Sequence, residues 1–297
     1  MVLILLARLM RALSSIAPEA AGRLALALTL RTRRRAAPGS FGMLADRFRV
    51  RGGEVVVHRL GANTGPRVLL VHGWNGAAPD WLALAEALVA DGFAVTALDL
   101  PAHGASPGRV SSLPRFVRGV IEANRRHGPF DIWIAHSMGV AASLAALASG
   151  AHARRLILIG GLVDPAGALR EFAHGFGLNA AATRAYLATI EREEQMPLID
   201  VDALRNARAI KAPTLIVHDH DDRVIPIEHS RKLAAVLPGA RLLQTSGLGH
   251  RRILNDETIV QSVVAFAQDA LFLASAAPSA TGAALPRDPE SECNRPE

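Results

Sequence analysis

Short, fully apolar runs alternate with longer amphipathic segments from about residue 48 onward. Runs of Val, Ile and Leu are typical of strands buried on both faces, whereas the amphipathic segments repeat their apolar positions with helical spacing. The pattern predicts strands at 48–50, 55–58, 68–72, 94–98, 131–135, 156–159, 214–218 and 241–244, and helices at 81–90, 113–126, 138–148 and 258–274. This alternation predicts an α/β fold with a mostly parallel, doubly wound sheet covered by helices on both faces.

Three segments depart from the alternation. Residues 162–210 are helical, interrupted by polar residues and placed between two predicted strands, so we interpret them as an insertion. Residues 1–40 form an amphipathic, basic helical leader, and residues 275–297 are rich in Pro, Ala and Ser without periodicity, as in a disordered tail. The predicted α/β domain therefore spans residues 41–274.

The net charge of +6 would suggest an anionic partner if it were spread over the fold. Residues 1–35, however, hold seven arginines and one glutamate, and the rest of the chain balances 26 basic against 26 acidic residues. We therefore expect no nucleic-acid surface. The leader has two interpretations: it packs on the body with residues 31–35 in solvent, or it lies on anionic lipid through its arginines.

Arg8 and Arg11 interrupt the first apolar run well before the roughly 20 residues that a membrane-spanning helix needs, so no transmembrane helix is predicted. The positive charges follow the apolar stretch, which is the reverse of a secretory signal. The single cysteine, Cys293, excludes an internal disulfide and fits a reducing compartment. We expect a cytoplasmic protein, with residues 1–35 as the candidate contact with the inner face of the membrane; the sequence indicates no oligomeric state.

Polar residues suited to catalysis gather where the predicted strands end. In a doubly wound sheet, ligands bind beyond the carboxyl ends of the strands. These ends carry His72-Gly73-Trp74, Asp99 to Gly104, His136-Ser137-Met138-Gly139, Asp219 to Asp222 and Gly249-His250. The order serine, acid, histidine along the chain predicts a catalytic centre at this edge of the sheet.

The segment Ala135 to Gly139 reads A-H-S-M-G between an apolar strand and a helix of small residues. It resembles the G-x-S-x-G nucleophile elbow of the α/β-hydrolase family, with Ala135 at the first glycine position. Asp99 to Ser106 reads D-L-P-A-H-G-A-S and is similar to the family's D-x-P-G-H-G-x-S loop, with Ala102 replacing a glycine. The resemblance covers about residues 48–274 and implies an α/β-hydrolase sheet of the serine esterase and lipase type, with a helical cap at 162–210.

The resemblance implies that Ser137 is the nucleophile, that His250 is its general base and that Asp222 orients the base. The acid lies in a loop with three aspartates, and the family register, with an apolar residue and a proline three to four positions further on, selects Asp222. Asp219 and Asp221 remain alternatives. Asp164 is another, because some members take the acid from the end of the preceding strand.

The family also implies an oxyanion hole, made by backbone N–H groups of the residue after the nucleophile and of the loop after the third strand. In this chain these residues are Met138 and Trp74. The apolar residues predicted for the substrate pocket are Trp74, Phe172, Phe176, Tyr186, Leu187 and Met196. We expect a minority of the cap residues to contact the substrate and the others to form the core of the cap.

A serine triad under an apolar cap predicts hydrolysis of a carboxylic ester with a hydrophobic acyl or alcohol part, through an acyl-enzyme and without a cofactor. A small-molecule ester is thus the expected partner. The same triad would also serve a thioesterase, lactonase, amidase or carbon–carbon bond hydrolase, and a non-catalytic binding protein of the same fold is the alternative from a different class. No metal is expected, because adjacent residues of the cluster His218 to Asp221 point in different directions from a strand end.

Overall fold

The computed structural model describes residues 2–33, 41–62 and 64–275. Its strands are Met43–Val50 (β1), Gly53–Leu60 (β2), Arg67–Val71 (β3), Ala94–Asp99 (β4), Ile132–His136 (β5), Arg155–Ile159 (β6), Thr214–Asp219 (β7) and Arg241–Thr245 (β8). They form a sheet in the order β1-β2-β4-β3-β5-β6-β7-β8. The pairs β1·β2 and β2·β4 are antiparallel and the other pairs are parallel, so the predicted fold class is confirmed.

Helices cover both faces of this sheet. They are Val2–Ile16 (α1), Pro18–Thr29 (α2), Leu82–Ala90 (α3), Leu113–His127 (α4), Met138–Ala148 (α5), Pro165–Gly175 (α6), Ala180–Glu194 (α7), Ala203–Ala207 (α8), Glu228–Val236 (α9), Gly249–Arg252 (α10) and Glu257–Ser275 (α11). Among these described helices, α9 is one that the apolar pattern did not predict, because its Glu-His-Ser-Arg-Lys start is polar.

Each central strand contributes side chains to two separate cores, because successive residues of a strand point to opposite faces. In β5, Ile132 and Ile134 pack in the core beneath α3 and α11. Trp133 and Ala135 pack in the opposite core, which includes α4 and α5. Burial on both faces explains why these strands read as continuous apolar runs in the sequence.

The predicted insertion at 162–210 forms α6, α7 and α8 between β6 and β7. Side-chain caps begin the first two: Asp164 Oδ1 accepts a hydrogen bond from Gly167 N–H (2.7 Å), and Asn179 Oδ1 accepts one from Ala182 N–H (2.9 Å). At the other end of α7, the buried carboxylate of Glu194 pairs with Arg115 and Arg118 of α4 at 2.8 and 2.9 Å. The cap is therefore fastened to the body by a buried ionic cluster.

The leader packs against the cap. Gly22 of α2 lies so close to α7 that a Cβ atom at this position would be 2.8 Å from Tyr186 N. Met10 and Leu26 are buried in the same core as the cap helices and the sheet. The separation of residues 1–40 from the domain at 41–274 was therefore wrong in one respect, since α1 and α2 share the domain's core, as in the packing interpretation of the leader.

The basic segment after α2 and the predicted tail are only partly described. Arg31 and Arg33 are exposed, as expected, whereas residues 34–40 and the predicted tail from residue 276 onward lie outside the described residues. Within the described part of the chain, no helix combines the length and the apolar composition needed to cross a membrane.

Candidate active site

Ser137 lies at a sharp turn between β5 and α5. Its backbone has φ 56° and ψ −122°, a left-handed conformation that side chains rarely adopt and that lifts the hydroxyl out of the strand. The turn is held by a hydrogen bond from Ser137 N–H to Ile159 O (2.9 Å). Gly139 permits the close passage of helix and strand, since a Cβ atom there would lie 2.5 Å from Val71 O. The first position of the elbow, Ala135, is fully buried within β5.

The three predicted catalytic side chains lie in a chain of hydrogen bonds. His250 Nε2 is 3.0 Å from Ser137 Oγ, and His250 Nδ1 is 2.6 Å from Asp222 Oδ2. Both nitrogens of the imidazole are thus engaged, one by the hydroxyl and one by the carboxylate. This is the arrangement in which a carboxylate fixes the tautomer of a base that removes the serine proton.

The Asp222 carboxylate is built to remain ionised. Burial alone would raise the pKa of Asp222, but contacts with His218 and His250 and the N–H group of Ile225 hold it well below its usual range. Asp222 Oδ1 accepts hydrogen bonds from Val224 N–H (2.8 Å) and Ile225 N–H (2.9 Å). His218, which the sequence did not suggest for the site, lies 3.4 Å from Asp222 Oδ2 through its Nε2.

The other two aspartates of this loop hold the loop that carries His250. Asp219 Oδ1 accepts from Gly249 N–H (2.9 Å) and Asp219 Oδ2 accepts from Leu248 N–H (3.1 Å). Asp221 Oδ2 accepts from Gly247 N–H (2.7 Å). The third alternative, Asp164, is occupied as the cap of α6. Of the four acids considered, Asp222 is thus the one bonded to His250.

His136 supports His250 from behind. The two imidazole rings lie 4.6 Å apart, and His136 Nε2–H donates to the backbone carbonyl of His250 (2.8 Å). Burial, together with the nearby His250, lowers the pKa of His136 to about 3, so this ring stays neutral near pH 7. A neutral neighbour leaves His250 free to gain a proton without a permanent like charge beside it.

The predicted oxyanion donors lie on the two segments that adjoin Ser137. Met138 is the first residue of α5, so its N–H group has no carbonyl partner within the helix. The loop after β3 approaches closely, because a Cβ atom on Gly73 would lie 2.6 Å from Ser137 Cβ and 3.1 Å from Ser137 Oγ. Trp74 follows directly on this loop, and its N–H group is the second predicted donor.

The loop from Asp99 to Ser106 supports the segment after β3 that carries Gly73 and Trp74, which we call the oxyanion loop. Asp99 Oδ1 accepts from Ala78 N–H (2.8 Å), Oδ2 accepts from Ala105 N–H (2.8 Å), and Oδ2 also pairs with His58 Nε2 (2.8 Å). Ala102, which replaces the family's glycine, has φ 63°, so it adopts the left-handed conformation that glycine adopts without strain. The loop is structural and places no group on Ser137.

An apolar cavity of about 430 Å³ opens above Ser137. Its wall comprises Thr29, Leu30, Trp74, Ser112, Leu113, Pro114, Ser137, Met138, Leu162, Pro165, Ala168, Leu169, Phe172, Ile190, Leu198, Val224 and Ile225. The leader, α4, the cap and the Asp222 loop therefore all contribute to it. A largely apolar wall without a charged side chain suits an uncharged, hydrophobic group.

Two of the predicted pocket residues, Trp74 and Phe172, line this cavity, and the others do not. Phe176 stacks on Phe172 with ring centroids 4.4 Å apart. Tyr186 is fully buried beneath α2, where its hydroxyl lies 3.1 Å from Thr29 Oγ1. Met196 lines a separate cavity beside α5 and α8. The assignment of Phe176, Tyr186 and Met196 to the pocket is therefore not supported. Together with Leu187 they pack in or against the core that the cap shares with the leader and the body, which is the role expected of most cap residues.

No group of three or more His, Cys, Asp or Glu side chains in the described part of the chain is arranged to hold a metal ion. In the cluster from His218 to Asp221, His218 instead contacts Ser230 Oγ through Nδ1 (2.6 Å) and Ile225 O through Nε2 (2.9 Å).

Two family models match consecutive parts of the chain. One, described as alpha/beta hydrolase fold, covers residues 66–185, and the other, described as TAP-like protein, covers residues 182–272. Together with the sheet order and the elbow at Ser137, these matches decide the family. The chain belongs to the α/β-hydrolase fold family.

Individual relatives are similar in sequence or in fold. Over 99 residues the chain is 38% identical to the pimeloyl-[acyl-carrier protein] methyl ester esterase of Methylococcus capsulatus, a match that covers 32% of this chain and 37% of that enzyme. An esterase from Exiguobacterium antarcticum superposes with a TM-score of 0.58 at 18% identity, over 77% of this chain and 100% of that one. Mouse alpha/beta hydrolase domain-containing protein 10 gives 0.60 at 15% identity, over 78% and 100%. The chain thus spans little more than a third of the curated relative, and the structural neighbours share its fold.

Proposed function

We propose that this member of the α/β-hydrolase fold family is a serine hydrolase that cleaves a carboxylic ester with a hydrophobic acyl or alcohol part. The observation that carries the proposal is a series of two hydrogen bonds beside an apolar cavity. One joins Ser137 Oγ to His250 Nε2 (3.0 Å), and the other joins His250 Nδ1 to Asp222 Oδ2 (2.6 Å). The esterases among the similar proteins support an ester as the substrate class.

The proposed reaction begins when Ser137 Oγ attacks the ester carbonyl and gives its proton to His250 Nε2. The negative charge on the former carbonyl oxygen is stabilised by the N–H groups of Met138 and Trp74. Collapse of this intermediate breaks the carbon–oxygen bond, and His250 returns its proton to the departing alcohol. Asp222, held ionised by its hydrogen bonds, stabilises the imidazolium during both transfers.

The acyl-enzyme is then hydrolysed by the reverse sequence of transfers. Water gives a proton to His250 Nε2 while its oxygen attacks the acyl carbonyl, and the second intermediate releases the carboxylic acid as Ser137 regains its proton. The ester oxygen leaves with the alcohol, and the oxygen from water stays in the acid. No redox partner is needed.

The test is hydrolysis of p-nitrophenyl esters of graded acyl length by the native protein and by Ser137→Ala. We expect the native protein to hydrolyse these esters and the variant to lose about 10⁵-fold in kcat. Ser143→Ala is the matched control. Ser143 lies on α5, the helix that begins directly after Ser137, and its buried hydroxyl has no hydrogen-bond partner among the described residues.

Each outcome of this assay separates the proposal from its alternatives. Activity that survives Ser137→Ala would overturn the assignment of the nucleophile. A native protein inactive on every ester, yet labelled at Ser137 by a fluorophosphonate, would favour the thioesterase, lactonase, amidase or carbon–carbon hydrolase alternatives. Absence of both activity and labelling would favour a non-catalytic binding protein.

We also propose that the leader makes a peripheral contact with an anionic membrane. Three apolar side chains of the leader are exposed, Leu9 to 60%, Ile16 to 84% and Leu24 to 44%. Exposed arginines, including Arg8 and Arg11, lie on the same helices. Apolar side chains beside cationic ones are the combination that binds an anionic lipid surface.

Flotation with vesicles of phosphatidylglycerol and phosphatidylcholine tests this contact. Deleting the leader would open the core around Met10 and Leu26, so a point variant is needed. We expect Ile16→Gln to lower the bound fraction and Ile199→Gln, a variant of an isoleucine on the cap with 56% exposure, to leave it unchanged. Equal recovery of all three proteins would remove the membrane proposal.

A further inference from the structure

A second, smaller cavity lies beside His250. Its volume is about 190 Å³, and it is bounded by the oxyanion loop and by the segment that follows the predicted base. Its wall includes Trp74, Asp80, His136, His250, Arg251 and Arg252. Trp74 lines both cavities, so the two spaces adjoin at the catalytic centre.

The two cavities differ in chemical character. The larger one has no charged side chain in its wall, whereas the smaller one has two arginines and one aspartate. Arg252 donates through Nη2 to Gly247 O (2.7 Å), which fixes it against its own loop, and Asp80 Oδ2 accepts from Ala77 N–H (3.0 Å). The balance of formal charge in the smaller cavity is therefore positive.

Arg251 is the side chain available to a ligand. It is exposed, and no hydrogen bond or ion pair of its guanidinium is found among the described residues. Its charge nevertheless reaches the cavity, because it contributes, after burial and His250, to lowering the pKa of His136 in the same wall. A guanidinium without a protein partner at the rim of a polar cavity suits a carboxylate or a phosphate.

The position of the proton donor, His250, relates the two cavities to the two halves of an ester. The alcohol oxygen must leave next to His250 Nε2, because that atom supplies its proton. His250 Nε2 lies 3.0 Å from Ser137 Oγ. Ser137 and Met138 line the larger cavity, His250 lines the smaller one and Trp74 lines both, so an ester held on Ser137 lies where the two spaces meet. Its two halves can then extend into different cavities, with the alcohol half next to His250 in the smaller one and the acyl chain in the larger one.

On the basis of the proposed function, we infer that the smaller cavity is a subsite for the alcohol half of the ester and that it selects an alcohol bearing an anionic group. The substrate class is then an ester of a hydrophobic acid with an anionic alcohol. Arg251 is the specificity-determining residue of this subsite.

The test compares two esters that share a butyryl chain and differ in the charge of the phenol, 4-butyryloxybenzoate and 4-butyryloxybenzamide. Each kcat/KM is divided by the rate constant for alkaline hydrolysis of the same ester, which removes the difference in leaving-group chemistry. We expect the native protein to prefer the anionic ester by about fivefold, the upper range for a solvent-exposed ion pair. Added salt reduces this preference by screening the charges.

Substitutions of Arg251 and of a control arginine then test whether Arg251 causes the preference for the anionic ester. We expect Arg251→Gln to abolish the preference, Arg251→Lys to retain most of it, and the control Arg208→Gln to leave it unchanged, since Arg208 is exposed between α8 and β7, before the amino end of that strand. Melting temperatures of the variants check that the fold is intact.

The outcomes separate this inference from the function on which it rests. Hydrolysis of both esters by the native protein without a preference would overturn the anionic subsite and leave the serine hydrolase standing. Equal loss on both esters in Arg251→Gln would also overturn the subsite, because a structural role of the arginine would not discriminate between the esters. Hydrolysis of neither ester, in the absence of Ser137 labelling, would overturn the proposed function and the subsite together.

Discussion

The proposed catalytic centre and the wall of the apolar cavity are built in different ways. Ser137, Asp222 and His250 each lie within a few residues of the carboxyl end of a strand, β5, β7 and β8 respectively. Hydrogen bonds within these loops or to the next strand end hold them in place. The cavity wall instead takes residues from the leader, α4, the cap and the Asp222 loop. The first region is specified by local motifs on a rigid sheet, and the second depends on how separate helices pack.

This contrast predicts different responses to substitution. A change in the proposed centre removes a group that we expect to act in the reaction, so its expected effect on rate is large and independent of acyl length. A change in the wall alters packing, so it affects stability or the choice of substrate. The predictions below are ordered from the largest expected effect to the smallest.

The strongest test of the centre is Asp222→Asn. The amide no longer fixes the tautomer of His250 or stabilises its protonated form, and we expect kcat for ester hydrolysis to fall about 10⁴-fold. Asp221→Asn is the matched control, because its side-chain oxygen still accepts the bond from Gly247 N–H. A loss in Asp221→Asn as large as that in Asp222→Asn would show that this loop supports catalysis through its shape.

The sequence singled out the three side chains that the structure brings together, because each of their signals is local. Helix 138–148 was placed at both of its observed ends, and the strand before it was placed to within one residue. The local pattern did not distinguish Asp219, Asp221 and Asp222, because all three are acidic residues at or just after the end of the same strand. The choice of Asp222 came from the family's spacing between the acid and the proline that follows it. The hydrogen bonds of the three aspartates now explain the choice, because Asp219 and Asp221 hold the loop of His250.

The cavity wall was predicted poorly because no local pattern records which helix packs on which. Tyr186 and Met196 looked like pocket residues in an apolar cap, yet Tyr186 is buried beneath Gly22 of the leader. Leu30 lines the cavity from a segment that the sequence set apart as a basic leader. Such contacts join residues far apart in the chain, and neither periodicity nor motif spacing indicates them.

Glu194→Gln tests the attachment of the cap. Its buried carboxylate pairs with Arg115 and Arg118, and the backbone carbonyl of the same residue also accepts from Arg118. Removing the charge leaves two largely buried guanidiniums without their carboxylate, and we expect the free energy of unfolding to fall by about 3 kcal/mol.

Urea denaturation measures this loss, with Glu193→Gln as the control because that neighbouring side chain is exposed. A loss of the same size in both variants would mean that the ionic cluster contributes nothing specific to the attachment of the cap.

The buried histidines behind the oxyanion loop predict a pH dependence of stability. Burial, with a smaller effect of the charge on His72, lowers the pKa of His103 from 6.5 to about 3. Between these values the unfolded chain binds a proton that the folded protein does not, so stability falls as the pH decreases below 6.5.

We expect His103→Gln to reduce the fall in Tm between about pH 7 and about pH 4.5 by about 3 °C. His72 and His136, whose pKa values are also lowered by burial, maintain part of the fall in this variant. His152→Gln is the control, because His152 is exposed. An unchanged pH profile in His103→Gln would show that this ring is not the source of the proton uptake.

The smallest effect tests whether the leader belongs to the cavity. Leu30 directly follows α2, is 8% exposed and lines the apolar cavity. Leu24, within α2, is 44% exposed and does not line it. Shortening Leu30 to alanine widens the wall, so we expect the ratio of kcat/KM for octanoyl over butyryl esters to rise about fourfold, the effect of roughly one buried methylene. Leu24→Ala should leave the ratio unchanged. If both variants leave the ratio unchanged while Phe172→Ala raises it, the acyl chain contacts only the cap, and the leader supports the cavity from outside.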